Sequence, residues 1–316
     1  METRDLVIER YRIDPNIKFK TRQEYEGMHI PDDRANDIYS DLARNNDPFC
    51  AAKIGMVEAM SLRAFLLGRQ NKTPTNYNSV ARLLHVNAGV FPASQESFDL
   101  FNQEFISHVR DLDFFGMWMF GDEPQSITEK EMYEKYARKS RVVHAGSWDP
   151  FTQVFGGCEA PWTQELEGKT VLVISPFIET IKKQYERREK IWENPHILPK
   201  YNLKVIKCPL SHALKESKFF SWIDGLNNMK EQMNSTEFDV CFVGAGAWGL
   251  PLAVHAKRLG KIGIHSGGDT QLMYGIEGRR WDNNSLIQKS VNEHWVRPSK
   301  DETPDNKGNV ENGCYW

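Results

Sequence analysis

The sequence has no CxxC pair, and its five cysteines (Cys50, Cys158, Cys208, Cys241 and Cys314) form an odd set. That argues against a disulfide framework or a structural zinc site and points to a reducing, cytoplasmic compartment. No run of about 18 apolar residues occurs, so no membrane span is expected. The opening METRDLVIERYRID is charged and lacks the apolar stretch of a signal peptide. Lysine and arginine (40) do not outnumber aspartate and glutamate (43), and the net charge of −3 leaves no basic surplus for a nucleic-acid backbone. The nine histidines show no HExxH spacing and no Cys–His pairing signal. Ser175 lies in no GxSxG elbow, which sets serine-hydrolase chemistry aside. Internal repeats are absent, and low complexity is confined to the last stretch.

What is present is a chain of 316 residues, 40% apolar, with nine tryptophans. Residues 1–45 read as an irregular lead-in with a short helix near 33–45. Residues 46–297 read as a single domain, and 298–316 as a polar, loosely held tail whose final GCYW could dock back on the body. A strand is expected at Phe49–Ile54 and a helix at Met56–Leu67, where the apolar residues fall at helical spacing. Further helices are expected at 78–85, 95–110 (capped by Ser94) and 127–138, the last with Thr128 and Glu131 at capping-box spacing. Strands at 113–120 and 141–147 precede a long loop, 148–163. The second half alternates more regularly. Strands at 169–175, 203–208, 239–243 and 261–265 are separated by helices at 177–192, 219–233 and 250–259. Strand–helix alternation with continuous apolar strands predicts an α/β fold, a Rossmann-like, mostly parallel sheet with helices on both faces.

Phe238–Trp281 concentrates the candidate chemistry. Gly244, Gly246 and Gly249 spell GAGAWG, a literal GxGxxG between a strand and a helix, and its helix N-terminus would favour a phosphate. A dinucleotide domain normally begins with this unit and follows it with an acidic residue at the next strand end. Here the unit comes late and the next strand ends in His265, with Asp269 four residues on. A second glycine turn, His265–Gln271 (HSGGDTQ), follows. Arg279 and Arg280 bring guanidiniums suited to bidentate phosphate contacts. Upstream, Glu58 falls in a first helical turn at a strand–helix junction. Each has a plainer reading: glycines for close packing, a core histidine, a solvated basic pair.

The stretches SPFIETIKKQYERREKIW, FDVCFVGAGAWGLPLAVHAKRLGK, IHSGGDTQLMYGIEGRRW and ENGCYW together resemble bacterial and viral proteins with a GT-D-type glycosyltransferase fold, from about Pro48 onward. The resemblance implies a single Rossmann-like domain that moves a sugar from a nucleotide-sugar donor to a glycan or glycoprotein acceptor. The family's early motif is a basic and an apolar residue followed by Gly-Asp-Gly-Glu, whose Asp-x-Glu pair holds a divalent metal. Here Lys53-Ile54-Gly55-Met56-Val57-Glu58 corresponds, with Met56 in place of the aspartate. A thioether is a poor ligand for Mg²⁺ or Mn²⁺, so metal dependence is open, with Glu58 as the candidate ligand.

The resulting expectation puts Glu58 and His265 in catalytic roles. Donor binding falls to Lys53, Gly55, Ser175, Gly244, Gly246, Trp248, Gly249, Gly267, Gly268, Gln271, Arg279 and Arg280. Two alternatives stand beside it: a dinucleotide-binding oxidoreductase, on GAGAWG alone, and a non-catalytic sugar-nucleotide-binding protein, suggested by Met56. The aromatic loop also makes a homodimer plausible.

Overall fold

In a computed structural model, residues 17–71, 78–118, 121, 123–210 and 218–316 are described. The strands are β1 (His29–Ile30), β2 (Cys50–Lys53), β3 (Phe114–Met117), β4 (Arg141–His144), β5 (Thr170–Ser175), β6 (Asn202–Lys207), β7 (Val240–Val243) and β8 (Ile262–His265). They form one sheet in the order β1-β4-β3-β2-β8-β7-β5-β6, every pair parallel. A parallel sheet needs cover on both faces, and the period-2 alternation of side chains supplies an apolar residue to each. Cys50, Ala52, Leu172, Ile174, Cys241 and Val243 face one core. Ala51, Val171, Val173, Phe242, Ile262 and Ile264 face the other.

The first core is closed by α1 (Arg22–Met28), α3 (Met56–Asn71), α5 (Gln95–Val109), α6 (Pro124–Met132), α9 (Trp222–Asn234) and α10 (Gly249–Arg258). A short α4 (Asn78–Leu83) lies beside α3. The second core is closed by α2 (Asp32–Asn45), α7 (Pro150–Phe155), α8 (Ile178–Glu186), α11 (Asp269–Met273) and α12 (Ser285–Gln288). Helices on both faces of a parallel sheet are what the alternating pattern called for.

Several local expectations need correction. The lead-in is not irregular throughout: α1 opens on a capping box, Thr21 with Glu24, and β1 adds an edge strand to β4. Helix α6 starts at Pro124, not Ile127, because proline is pre-set for the first helical position. Thr128 is therefore inside the helix, and its hydroxyl donates to Pro124 C=O (2.9 Å) instead of capping. The expected 148–163 loop contains α7 and leads into a 3₁₀ turn at Trp162–Leu166. The end of the strand expected at 113–120 falls partly outside the described residues.

The stretch 298–316 is docked, not loose. Glu302, Val310, Cys314 and Trp316 are buried. The Glu302 carboxylate accepts from the amides of Glu179 (2.8 Å) and Thr180 (3.2 Å), capping the start of α8. Trp316 Nε1 donates to Glu302 C=O at 2.9 Å.

The strand order reverses between β5 and β7. From β5 the chain moves outward to β6, while from β7 it moves to β8 on the opposite side. The helices after these strands, α8 and α10, consequently lie on opposite faces. Such a switch point opens a crevice at the carboxyl ends of the strands, where α/β proteins bind ligands.

Candidate functional site

A cleft of about 480 Å³ lies at this crevice and extends along the carboxyl ends of β5, β7, β8 and β2 to the end of β3. Its size is that of a small-molecule site. Two glycine turns form its middle. Gly246 (φ 51°) and Gly267 (φ 62°) both adopt the left-handed conformation that other residues rarely take. At Gly244, a Cβ would fall 2.8 Å from the Gly267 carbonyl and 2.8 Å from Thr270 Cβ, so its glycine lets the two turns pack against each other. The 3₁₀ turn Gly246–Trp248 runs into α10, and the first amides of such a start have no intrahelical acceptor.

Of the residues expected from the sequence, Lys53, Gly55, Glu58, Ser175, Gly244, Gly246, His265, Gly267, Gly268, Gln271 and Arg280 line the cleft. Trp248 does not. It is fully buried, stacked on Trp222 at 6.5 Å with Nε1 donating to Trp222 C=O (3.0 Å), and belongs to the core. Gly249 lies behind the cleft, where a Cβ would sit 2.0 Å from His265 Cε1. Arg279 does not line it either, and its Nη1 donates to Asn312 C=O at 3.0 Å.

Lys53 is buried at the floor. Its ammonium donates to Asp269 Oδ2 at 2.7 Å and pairs with Asp149 Oδ2 at 3.6 Å. Burial alone would push the lysine pKa down, but Asp269 and then Asp149 carry it above its ordinary value. The lysine is therefore a fixed cation, not a nucleophilic amine. Burial pushes Asp149 upward, opposed by Lys53 and reinforced by Asp269.

His265 is buried, with Nδ1 3.3 Å from Val243 C=O. Since that oxygen can only accept, Nδ1 carries the proton and Nε2 keeps its lone pair. Burial, then the neighbouring Lys53 charge, lowers its pKa to about 4. The imidazole is neutral at physiological pH.

Glu58 folds back over its own turn, so that a Cβ on Gly55 would fall 2.2 Å from Oε2. Burial raises its pKa, its own backbone amide opposes this, and Glu311 adds to it. It has no ion-pair partner among the described residues. Glu58 is thus a carboxyl group facing the cleft without a matching cation.

Arg280 lines the cleft but is engaged by the docked segment. Its Nη2 donates to Glu311 Oε2 (2.9 Å), and its guanidinium lies 4.7 Å from the centre of the Tyr315 ring. Gln271 Nε2 donates to the carbonyls of Ile276 and Tyr315, both at 3.2 Å, and Ser175 Oγ accepts from Phe177 N–H at 3.2 Å.

Sequence reasoning missed Asp149, Trp118, Gln125 and Tyr315 as site residues. Asp149 follows a strand in SWDP, and that position at a strand's carboxyl end was the available signal. Asp269 was noted only as the absent dinucleotide acid, and its partner Lys53 lies 216 positions away. No group of three His, Cys, Asp or Glu side chains capable of holding a metal occurs among the described residues. Met56 lines the cleft at 65% exposure but offers only a thioether, and the nearest paired carboxylates already hold Lys53.

No family model, no curated protein and no solved structure matches the chain. Among the described residues no helix is long and apolar enough to cross a membrane.

Proposed function

We propose that this protein is a glycosyltransferase that moves a sugar from a nucleotide-sugar donor to a glycan or glycoprotein acceptor. The observation that carries this reading is the meeting of the two glycine turns, Gly244–Gly246 and Gly267–Gly268, at the switch-point cleft with an unmatched carboxyl, Glu58, lining the same space. Close backbone approach at the turns suits a diphosphate. The acceptor hydroxyl oxygen attacks the anomeric carbon, the bond from that carbon to the diphosphate oxygen breaks with its electron pair, and the acceptor proton passes to Glu58. A carboxyl whose pKa is raised by burial is a stronger base than an exposed one. His265, neutral, offers Nε2 as a hydrogen-bond acceptor. Buried thiols at Cys50, Cys208 and Cys241 accord with a reducing, cytoplasmic setting.

Thermal-shift screening of nucleotide sugars, with and without Mn²⁺, tests the reading. Binding of at least one donor, followed by transfer that falls at least a hundredfold in Glu58→Gln, is expected. No stabilisation by any donor would remove the proposal, and full turnover in Glu58→Gln would remove the role of Glu58. Met56, exposed where the resemblance puts an aspartate, favours a second reading, sugar-nucleotide binding without transfer. Its signature in the same screen is stabilisation with no turnover.

A further inference from the structure

We propose that Trp118, with Met56 and Gln125, forms a carbohydrate-ring subsite, so that a nucleotide sugar lies across the strand ends with its sugar at β3 and its base at β5. This rests on the transferase reading and adds an orientation to it. The sheet order sets a linear sequence along the cleft. Phe177 follows β5, Gly244 follows β7, Gly267 follows β8, Lys53 ends β2 and Trp118 follows β3. With the diphosphate at the central glycine turns, two chemically different ends remain.

The β5 end is apolar: Pro176, Phe177, Leu210 and Trp316, with Phe177 set edge-on to Trp316. It offers a flat base apolar contact. The β3 end is rich in acceptors. Gln125 Nε2 donates to Ile54 C=O at 3.3 Å and to Glu129 Oε1 at 3.2 Å. Because the Ile54 carbonyl can only accept, the amide nitrogen must be the atom on that side. Among the described residues the Gln125 carbonyl oxygen has no hydrogen-bond partner, and it can accept from a ligand hydroxyl but not from an ionised phosphate. Glu58, in the first helical turn after β2, adds carboxyl oxygens of the same preference.

Trp118 supplies the platform. It is 38% exposed, yet held by two hydrogen bonds, with Nε1 donating to Ile54 C=O and its backbone N–H to Glu129 Oε2, both at 3.2 Å, and the Lys53 ammonium lies 4.8 Å from the centre of its ring. A large aromatic kept partly open to solvent and fixed by two hydrogen bonds is pre-organised for a ring, and Met56, also exposed, lines the same cleft. A sugar matches this end because it combines an apolar C–H face with hydroxyl donors.

Isothermal titration of the wild type, Trp118→Phe and Trp118→Ala tests the assignment, with UDP-glucose, UDP-N-acetylglucosamine and GDP-mannose each set against free UDP or GDP. Circular dichroism confirms that each variant is folded. Trp118→Ala is expected to weaken the sugar nucleotides about tenfold and leave the free diphosphates unchanged, with Trp118→Phe between. Equal losses for the free diphosphates, or no loss at all, would overturn the orientation while leaving the transferase reading in place. If the wild type binds none of the panel, the transferase reading fails separately. Saturation-transfer NMR with methyl glycosides then decides the subsite: signals seen in the wild type and lost in Trp118→Ala sustain it, and any other result overturns it.

Discussion

The imidazole of His265 occupies the space in which a side chain on Gly249 would begin. A Cβ at 249 would lie 2.0 Å from both Cε1 and Nδ1 of the ring. The third glycine of GAGAWG therefore makes room for a histidine from the next strand. Gly249→Ala should push the ring out of place and cost about 1–3 kcal/mol, as overpacking of a tight core does. Adding His265→Ala should recover part of that loss, since the clash disappears with the ring. Urea denaturation of the two single variants and the double variant measures the coupling. Strictly additive losses would show that the two positions are independent.

Stability should depend on pH through two buried groups of opposite sign. The folded-state pKa of His265, about 4, lies below the value of roughly 6.5 expected when unfolded. The unfolded chain therefore binds the extra proton between these values. The stability that His265 contributes is full above about pH 6.5 and is lost as pH falls toward 4, by roughly 3 kcal/mol in all. Glu129 is the reverse. Burial raises its pKa to about 8, so its contribution is full below about pH 4.3 and is lost as pH rises through 8. His265→Gln should remove the acid-side loss, and Glu129→Gln the loss toward pH 8. Glu129→Gln also forfeits one hydrogen bond, because Gln125 Nε2 cannot donate to an amide nitrogen. Stability curves from pH 4 to 9 that keep the wild-type shape in both variants would contradict this account.

All of the sheet but β1 was readable in the sequence, because those strands are short apolar runs that need no partner to be recognised. β5, for example, reads TVLVIS and has an apolar residue for each face. The switch point was not readable, since it depends on β5 pairing with β7 while their successors β6 and β8 lie on opposite sides, which no local pattern encodes. The same separation hid the Lys53–Asp269 pair. Trp248 shows the opposite failure: its place inside GAGAWG suggested a ligand contact, whereas its ring is held by Trp222 from another helix. Helix α1 could have been found, because Thr21 and Glu24 carry the capping-box spacing.

Lys53 joins the ends of three strands through Asp149, which follows β4, and Asp269, which follows β8. Replacing it with methionine leaves the Asp149 carboxyl buried beside a second carboxylate and without its cation. The expected cost is about 3 kcal/mol or more, in the range for removing one partner of a buried pair. Lys53→Met combined with Asp149→Asn and Asp269→Asn should recover part of it, because the remaining groups are neutral. Chemical denaturation gives both numbers. If Lys53→Met alone costs less than about 1 kcal/mol, as an exposed pair would, the lysine is not the electrostatic centre of the floor.

Arg280 was expected from the sequence to hold a phosphate, but its contacts give it a different first task. The guanidinium donates to Glu311, lies 3.7 Å from Cys314 Sγ and rests against the Tyr315 ring, while its backbone N–H donates to Cys314 C=O at 3.0 Å. Tyr315 in turn closes on Gly268, where a Cβ would fall 3.1 Å from its ring. Losing the side chain removes a cation–aromatic contact and a half-exposed ion pair, together about 1–2 kcal/mol, and acts mainly on the docked segment. Arg280→Ala should therefore speed hydrogen exchange at the amides of Gly313, Cys314 and Trp316, which bond within residues 310–316, while the sheet stays protected. A phosphate-binding role alone predicts the converse: weaker nucleoside diphosphate binding with exchange at 313–316 unchanged. Measuring exchange and UDP affinity on the same variant separates the two, since only a positioning role moves the amides in the absence of ligand.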